Sequence, residues 1–284
     1  MRLACLAFLF ASSAWAQSAK PEPSECRANS VVTRASAPDP KAPVACADMT
    51  LAESVTDARI GETPVEIVVT EGCSVAPWSV LNIHDDENTA VEAALAVLAR
   101  RGGRLVELRH AGTRNLSFRL GGETFTVDPN RIFTDAGRAR TLAALSRDTR
   151  AARAAVAAFA DTLLAVYGTP DVVVALHNNT AANYSAASYT PGGTDAREAA
   201  DVHLQPGVDP DDFVFVTTLP LFDAVVASGV NAVLQDNAAA TDDGSLSVWA
   251  AQHGRPYVNV EAQHGHLAEN VRMVEALRGW TGAE

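Results

Sequence analysis

From Pro64 onward the apolar residues of this chain fall into short blocks, some continuous and some helically spaced, separated by Gly, Pro and polar clusters. VEIVV (65 to 69) and SVLNIH (79 to 84) are β-rich runs bounded by Gly and Pro, and each reads as a strand. TAVEAALAVLARRGG (89 to 103) reads as a helix, with Thr89 and Glu92 at capping-box spacing and Gly102 and Gly103 as the stop. RLVELRH (104 to 110) is the next strand, and NLSFRLGGETFTVD (115 to 128) is two alternating runs around Gly121 and Gly122, a hairpin signal. An alanine-rich stretch from about Asp135 to Tyr167 has helical composition with a break near Asp148. DVVVALHNN (171 to 179) is nearly all apolar, the pattern of a strand covered on both faces.

Residues 180 to 210 are rich in Gly, Ser and Thr, lack a period, and exceed ordinary connections in length, which predicts a functional loop. After it come FVFVTTL, a helix from about residue 220, NAVLQ, a short helix, PYVNVEA and a last helix from about Ala268. Strands alternating with helices, with one inserted hairpin, predict an α/β fold: a mixed, mostly parallel sheet sandwiched between helices.

The amino-terminal part differs in character. Residues 1 to 16 combine an early Arg2, an apolar run from Leu3 to Phe10 and a small-residue ending, the pattern of a secretory signal peptide. Residues 17 to 60 scatter Pro, Ser and charge without a period and read as an irregular extension, leaving 61 to 284 as a single α/β domain. No run is long and charge-free enough to span a membrane, so the expected location is the periplasm or the medium. Without the signal the formal charge moves from −12 to −13, 21 basic against 34 acidic residues, which argues against nucleic acid or an anionic membrane as partner. Cys26, Cys46 and Cys73 would then meet an oxidising compartment, with one disulfide and one thiol as the simplest count and the pairing open. Oligomeric state is not legible.

The chemistry gathers at strand ends, where open α/β sheets place their sites. His84 ends one predicted strand, His177 another and Glu261 a third. His84 and Glu87 flank a strand-to-helix turn, and with His177 they make a two-histidine, one-carboxylate set that leaves a metal an open position, a catalytic zinc arrangement. Glu261, on an apolar strand that desolvates it, is the candidate base for a zinc-activated water. The acids Asp85, Asp86 and Glu87 have a second reading, as charges stabilised at a helix amino terminus. In VDPNRIF (127 to 133), Asn130 and Arg131 follow the hairpin, and Arg is shaped to grip a carboxylate. A separate cluster of Glu261, His264 and His266 ranks lower, because those histidines read better as pocket or loop residues. Ser245 reads as a turn or helix cap.

Taken together, His84-x-x-Glu87, Asn130-Arg131, LHNNT (176 to 180) and VEAQHGH (260 to 266) resemble, in order and spacing, the zinc carboxypeptidase superfamily. The nearest likeness is to its aspartoacylase and succinylglutamate desuccinylase branch. The resemblance implies Zn2+ held by His84, Glu87 and His177, a substrate carboxylate held by Asn130 and Arg131, and water promoted by Glu261. It also implies a small peptide or an N-acyl amino acid as substrate. Two positions depart from the family pattern: Asp85 replaces a usual Gly, and Ala175 stands where many relatives carry an Asp that supports the third motif's histidine. The expected activity is that of an exported zinc hydrolase acting on an amide bond next to a carboxylate; the rival is a non-catalytic periplasmic metal- or peptide-binding protein.

Overall fold

The computed structural model describes residues 50–72, 78–168, 170–181 and 183–281. The expected signal segment and Cys26, Cys46 and Cys73 lie outside the described residues. Strand β1 (Leu51–Ile60) pairs antiparallel with β2 (Thr63–Gly72), which corrects the expectation of an irregular extension reaching residue 60. Only Ala58 and Ile60 of β1 are buried, so its side chains carry almost no strand signal and the backbone ladder holds it in place.

The chain continues through β3 (Ser79–Asn82), α1 (Asn88–Arg101), β4 (Gly103–Arg109), the hairpin β5 (Leu116–Leu120) and β6 (Glu123–Val127), α2 (Asp135–Leu145), α3 (Arg150–Tyr167) and β7 (Val173–Asn179). Then follow β8 (Ala199–His203), β9 (Phe213–Val216), α4 (Leu219–Ala227), β10 (Asn231–Gln235), α5 (Leu246–Gln252), β11 (Tyr257–Gln263) and α6 (Leu267–Thr281). Nine strands form one sheet in the order β1-β2-β4-β3-β7-β11-β9-β10-β8, with β5-β6 separate. The sheet is mixed, but parallel and antiparallel neighbours are equal in number, so it is less parallel than the alternation of elements suggests. The predicted loop of 180 to 210 contains the edge strand β8, paired antiparallel with β10, and two short 3-10 turns.

Both faces of the sheet are covered. Val173 and Ala175 of β7 join a core with α2, α3, α5 and the hairpin, whereas Val174 and Leu176 point into a second core with α1, α4 and α6. Each large apolar side chain fully buried in these layers contributes roughly 1.5–3 kcal/mol, which is how a four-residue strand such as β3, buried at every position, is held in register. Tyr167 at the end of α3 links the layers: its hydroxyl donates to the Ser79 carbonyl (3.1 Å) and accepts from the Val174 amide (2.9 Å). The capping box predicted at Thr89 and Glu92 does not form. Helix α1 begins after Glu87, and the Thr89 hydroxyl instead accepts from the Gly265 amide (3.0 Å). Among the described residues no helix is long and apolar enough to cross a membrane.

Because β3, β7 and β11 run parallel, their carboxyl ends open at one edge of the sheet. The candidate chemistry lies there.

Candidate metal centre and its cavity

His84 lies just past β3, and the turn to α1 is closed by the Glu87 amide donating to the His84 carbonyl (3.1 Å). This turn brings both side chains beneath His177 of β7. Nδ1 of His84 is 2.7 Å from Glu87 Oε1, Nδ1 of His177 is 2.8 Å from Glu87 Oε2, and the two Nδ1 atoms are 3.1 Å apart. All three residues are buried, and each offers a ligand atom within 4.8 Å of the others. The structure thus brings together the three residues that the sequence nominates for a metal.

The neighbouring acids separate into distinct jobs. Asp85 Oδ2 accepts from the amides of His110 (2.7 Å) and Gly112 (2.6 Å), so its charge fixes the loop after β4. Glu87 occupies the N-cap position of α1 without capping it, because its carboxylate is turned to the imidazoles. Both acids precede α1 as expected, but among the described residues neither carboxylate caps it.

Nε2 of His84 meets Asp128 Oδ1 at 2.9 Å, so both of its ring nitrogens face carboxylates. Burial opposes a charge on this ring, but Glu87 and Asp128 outweigh it and push the pKa from 6.5 up to about 9. For Glu87, burial acts upward, yet His177 and His84 hold the carboxyl well below its ordinary range. Burial likewise raises Asp128, and His84 more than reverses it, aided by Arg131 and Arg114. Two imidazole nitrogens turned toward each other and sharing one carboxylate are an arrangement that a divalent cation satisfies by replacing their protons. Two nitrogens and one oxygen suit zinc. His177 Nε2 is buried without a hydrogen-bond partner among the described residues, and Ala175, two positions earlier, has no group to offer it.

Asp128 lies in the VDPNRIF segment, where its sequence context signals no role. It orients His84 from a site 44 positions away in sequence while accepting the Asn130 amide (2.8 Å) as cap of the 3-10 turn Pro129–Arg131. Replacing Asp128 with Asn is expected to weaken zinc binding about 10- to 100-fold, as loss of such an orienting carboxylate does elsewhere. Competition against a chromogenic chelator measures this; unchanged affinity would rule out the orienting role.

Glu87 and His177 of this candidate cluster line a cavity of about 530 Å³. Glu261 pairs in register with His177 across the parallel β7–β11 ladder, which places it on the same side of the sheet. It is 5% exposed, and Oε1 accepts from Asn259 Nδ2 at 3.0 Å. Burial pushes its carboxyl up, with His177 and the Asn259 hydrogen bond pulling the other way. Arg131 lines the same cavity, its Nε 3.2 Å from Asp243 Oδ2 and its Nη1 donating to the Asn130 carbonyl (2.8 Å). Asn130 Oδ1 accepts from the Leu246 amide (3.2 Å), and Ser245 caps α5 as predicted. Gly137 and Gly244 allow this arrangement: a methyl on either would overlap the other and press on the Arg131 carbonyl. Tyr184 and Tyr189, from the long loop, join hydroxyls at 2.6 Å and complete the wall.

Sequence reasoning did not find Arg114, Asn259 or the role of Asp128. Arg114 Nη1 donates to Glu87 Oε1 (3.0 Å) from a loop with no local pattern. Asn259 had a signal, since it shares the buried face of a β-run with Glu261 two residues on. The lower-ranked Glu261–His264–His266 cluster is not assembled. His264 lines the cavity, while His266 pairs with Asp212 (2.9 Å), whose other oxygen accepts the Gln263 amide (3.0 Å), fastening the start of α6.

No protein-family model and no curated protein matches this sequence. Among solved structures, the chain is similar to a succinylglutamate desuccinylase/aspartoacylase from Rhodobacter sphaeroides, with 16% identity, TM-score 0.41, and coverage of 83% of this chain and 65% of that one. It is also similar to a succinylglutamate desuccinylase from a Silicibacter species, with 16% identity, TM-score 0.46, and coverage of 86% of this chain and 70% of that one. An aspartoacylase family protein from Mesorhizobium loti is 15% identical at TM-score 0.42, with coverage of 88% and 72%.

Proposed function

We propose that this protein is an exported zinc-dependent hydrolase that cleaves an amide bond next to a carboxylate, in a small peptide or an N-acyl amino acid. The observation that carries this reading is the buried convergence of His84, Glu87 and His177, with Glu261 in register beside His177 on the neighbouring strand.

Zinc at that cluster would supply an electrophile for the scissile carbonyl and acidify a water. Glu261 accepts the proton of the attacking water as its oxygen bonds to the carbonyl carbon. The C–N bond then breaks, and Glu261 returns the proton to the leaving amine. Asn259 holds the Glu261 carboxylate through Oε1. Arg131, fixed by Asp243, meets the substrate carboxylate with a charge-assisted hydrogen bond, and Asn130 supports it. The desolvated setting of Glu261 favours a base over a passive wall residue, which separates this reading from that of a non-catalytic binding protein.

Arg131→Ala tests the carboxylate grip. Losing a hydrogen bond to a charged group costs about 1.5–3 kcal/mol, so KM for N-acyl amino acids is expected to rise roughly 10- to 100-fold. The matching N-acyl amino amides should change far less. An equal effect on acids and amides, measured by steady-state hydrolysis, would refute the grip.

A further inference from the structure

The charge balance of the cavity restricts what it accepts. Its lining carries six carboxylates, Asp86, Glu87, Asp195, Glu198, Asp243 and Glu261, against two guanidiniums, Arg114 and Arg131. Both cations are already engaged: Arg114 by Glu87 (3.0 Å) and Asp128 (3.5 Å), Arg131 by Asp243 (3.2 Å). A divalent cation at the histidines still leaves two negative charges in excess, or one if Glu261 is protonated.

The excess is localised on the side formed by the long loop. Among the described residues, the Asp195 carboxylate accepts from the neighbouring Thr194 hydroxyl (3.0 Å) and the Glu198 carboxylate from the Thr241 amide (3.3 Å). Among the described residues neither forms an ion pair, although both face a common cavity with Arg131 and Glu261. Tyr189 lines the same cavity as Asp195, Glu198, Glu261 and Arg131. A substrate with two carboxylates would bring its second one into this field, with both cations already paired. A side-chain cation would find carboxylates without a counterion.

We propose that the cavity selects substrates whose carboxyl-terminal residue is basic: N-acyl-lysine or N-acyl-arginine compounds, or short peptides ending in Lys or Arg. The α-carboxylate lies at Arg131 and Asn130, and the side-chain cation lies against Asp195 and Glu198. This specificity rests on the amide-hydrolase reading and refines it.

The test compares kcat/KM of the zinc-loaded full chain on N-acetyl-lysine, N-acetyl-leucine and N-acetyl-aspartate at low and high salt. A preference for lysine over leucine of about tenfold or more is expected, shrinking as salt screens the pair. The same ratio, measured within the Asp195→Asn, Glu198→Gln double variant, should fall about tenfold. Using a ratio within one protein cancels any general loss of folded enzyme. Preference for aspartate or leucine, or a ratio that survives in the double variant, overturns the specificity and leaves amide hydrolysis standing. If neither these compounds nor short peptides ending in Lys, Leu or Asp are hydrolysed, the hydrolase reading fails, and calorimetric binding of the same three N-acetyl compounds decides the specificity alone: tighter binding of N-acetyl-lysine, lost in the double variant, supports it, and equal binding refutes it.

Discussion

Glu261→Gln is expected to keep zinc near one equivalent per chain while reducing kcat about 10²–10⁴-fold, the range that a positioned general base contributes. Gln is nearly isosteric, can keep the partnership with Asn259, and leaves His84, Glu87 and His177 untouched, so binding and chemistry separate. The wild-type pH profile carries the same information with a definite sign. The base must be ionised, and burial raises the Glu261 pKa, so kcat/KM should fall as acid passes a limb above the ordinary carboxylate range. That limb should vanish from the residual activity of the variant. Metal content by elemental analysis and a pH–rate series decide the matter. A variant with zinc bound and full turnover would reject the role.

The second large effect is expected from His177→Ala. A catalytic zinc with three protein ligands loses one of them, and His84 with Glu87 alone makes a poor site. Zinc content should drop to background and hydrolysis with it, with no recovery on adding zinc at micromolar concentration. Misfolding gives the same loss of activity, so thermal unfolding must be compared with that of chelator-treated wild type. Similar midpoints would assign the loss to the metal. Retention of stoichiometric, tightly bound zinc in this variant would remove the cluster from consideration.

How far the letters reached depends on what stabilises each element. The Gly121–Gly122 hairpin, the break between α2 and α3, and the all-apolar β7 were readable because turn chemistry and two-sided burial leave direct marks on composition. Strands β1 and β8 were missed because both lie at sheet edges, β1 with mostly exposed side chains and β8 with none buried; backbone pairing creates them, and backbone is the same for every sequence. The capping box at Thr89 failed for a related reason. A tertiary partner, the Gly265 amide, took the hydroxyl that local spacing offered to the helix.

The sequence by itself determined the inventory of the site: histidines and acids at the ends of buried strands, an Asn-Arg pair after a hairpin, and an apolar strand to desolvate Glu261. Strand termini are written locally, in the switch from apolar runs to polar turns. Tertiary structure alone decided which acids serve the imidazoles and which serve the backbone, because one-residue steps from Asp85 to Glu87 point side chains to different neighbours. It likewise recruited Asp128, Arg114 and Asn259, and brought the acidic residues of the long loop to the same cavity as Arg131. Those choices depend on distances between segments far apart in the chain, and only the closed sheet fixes them.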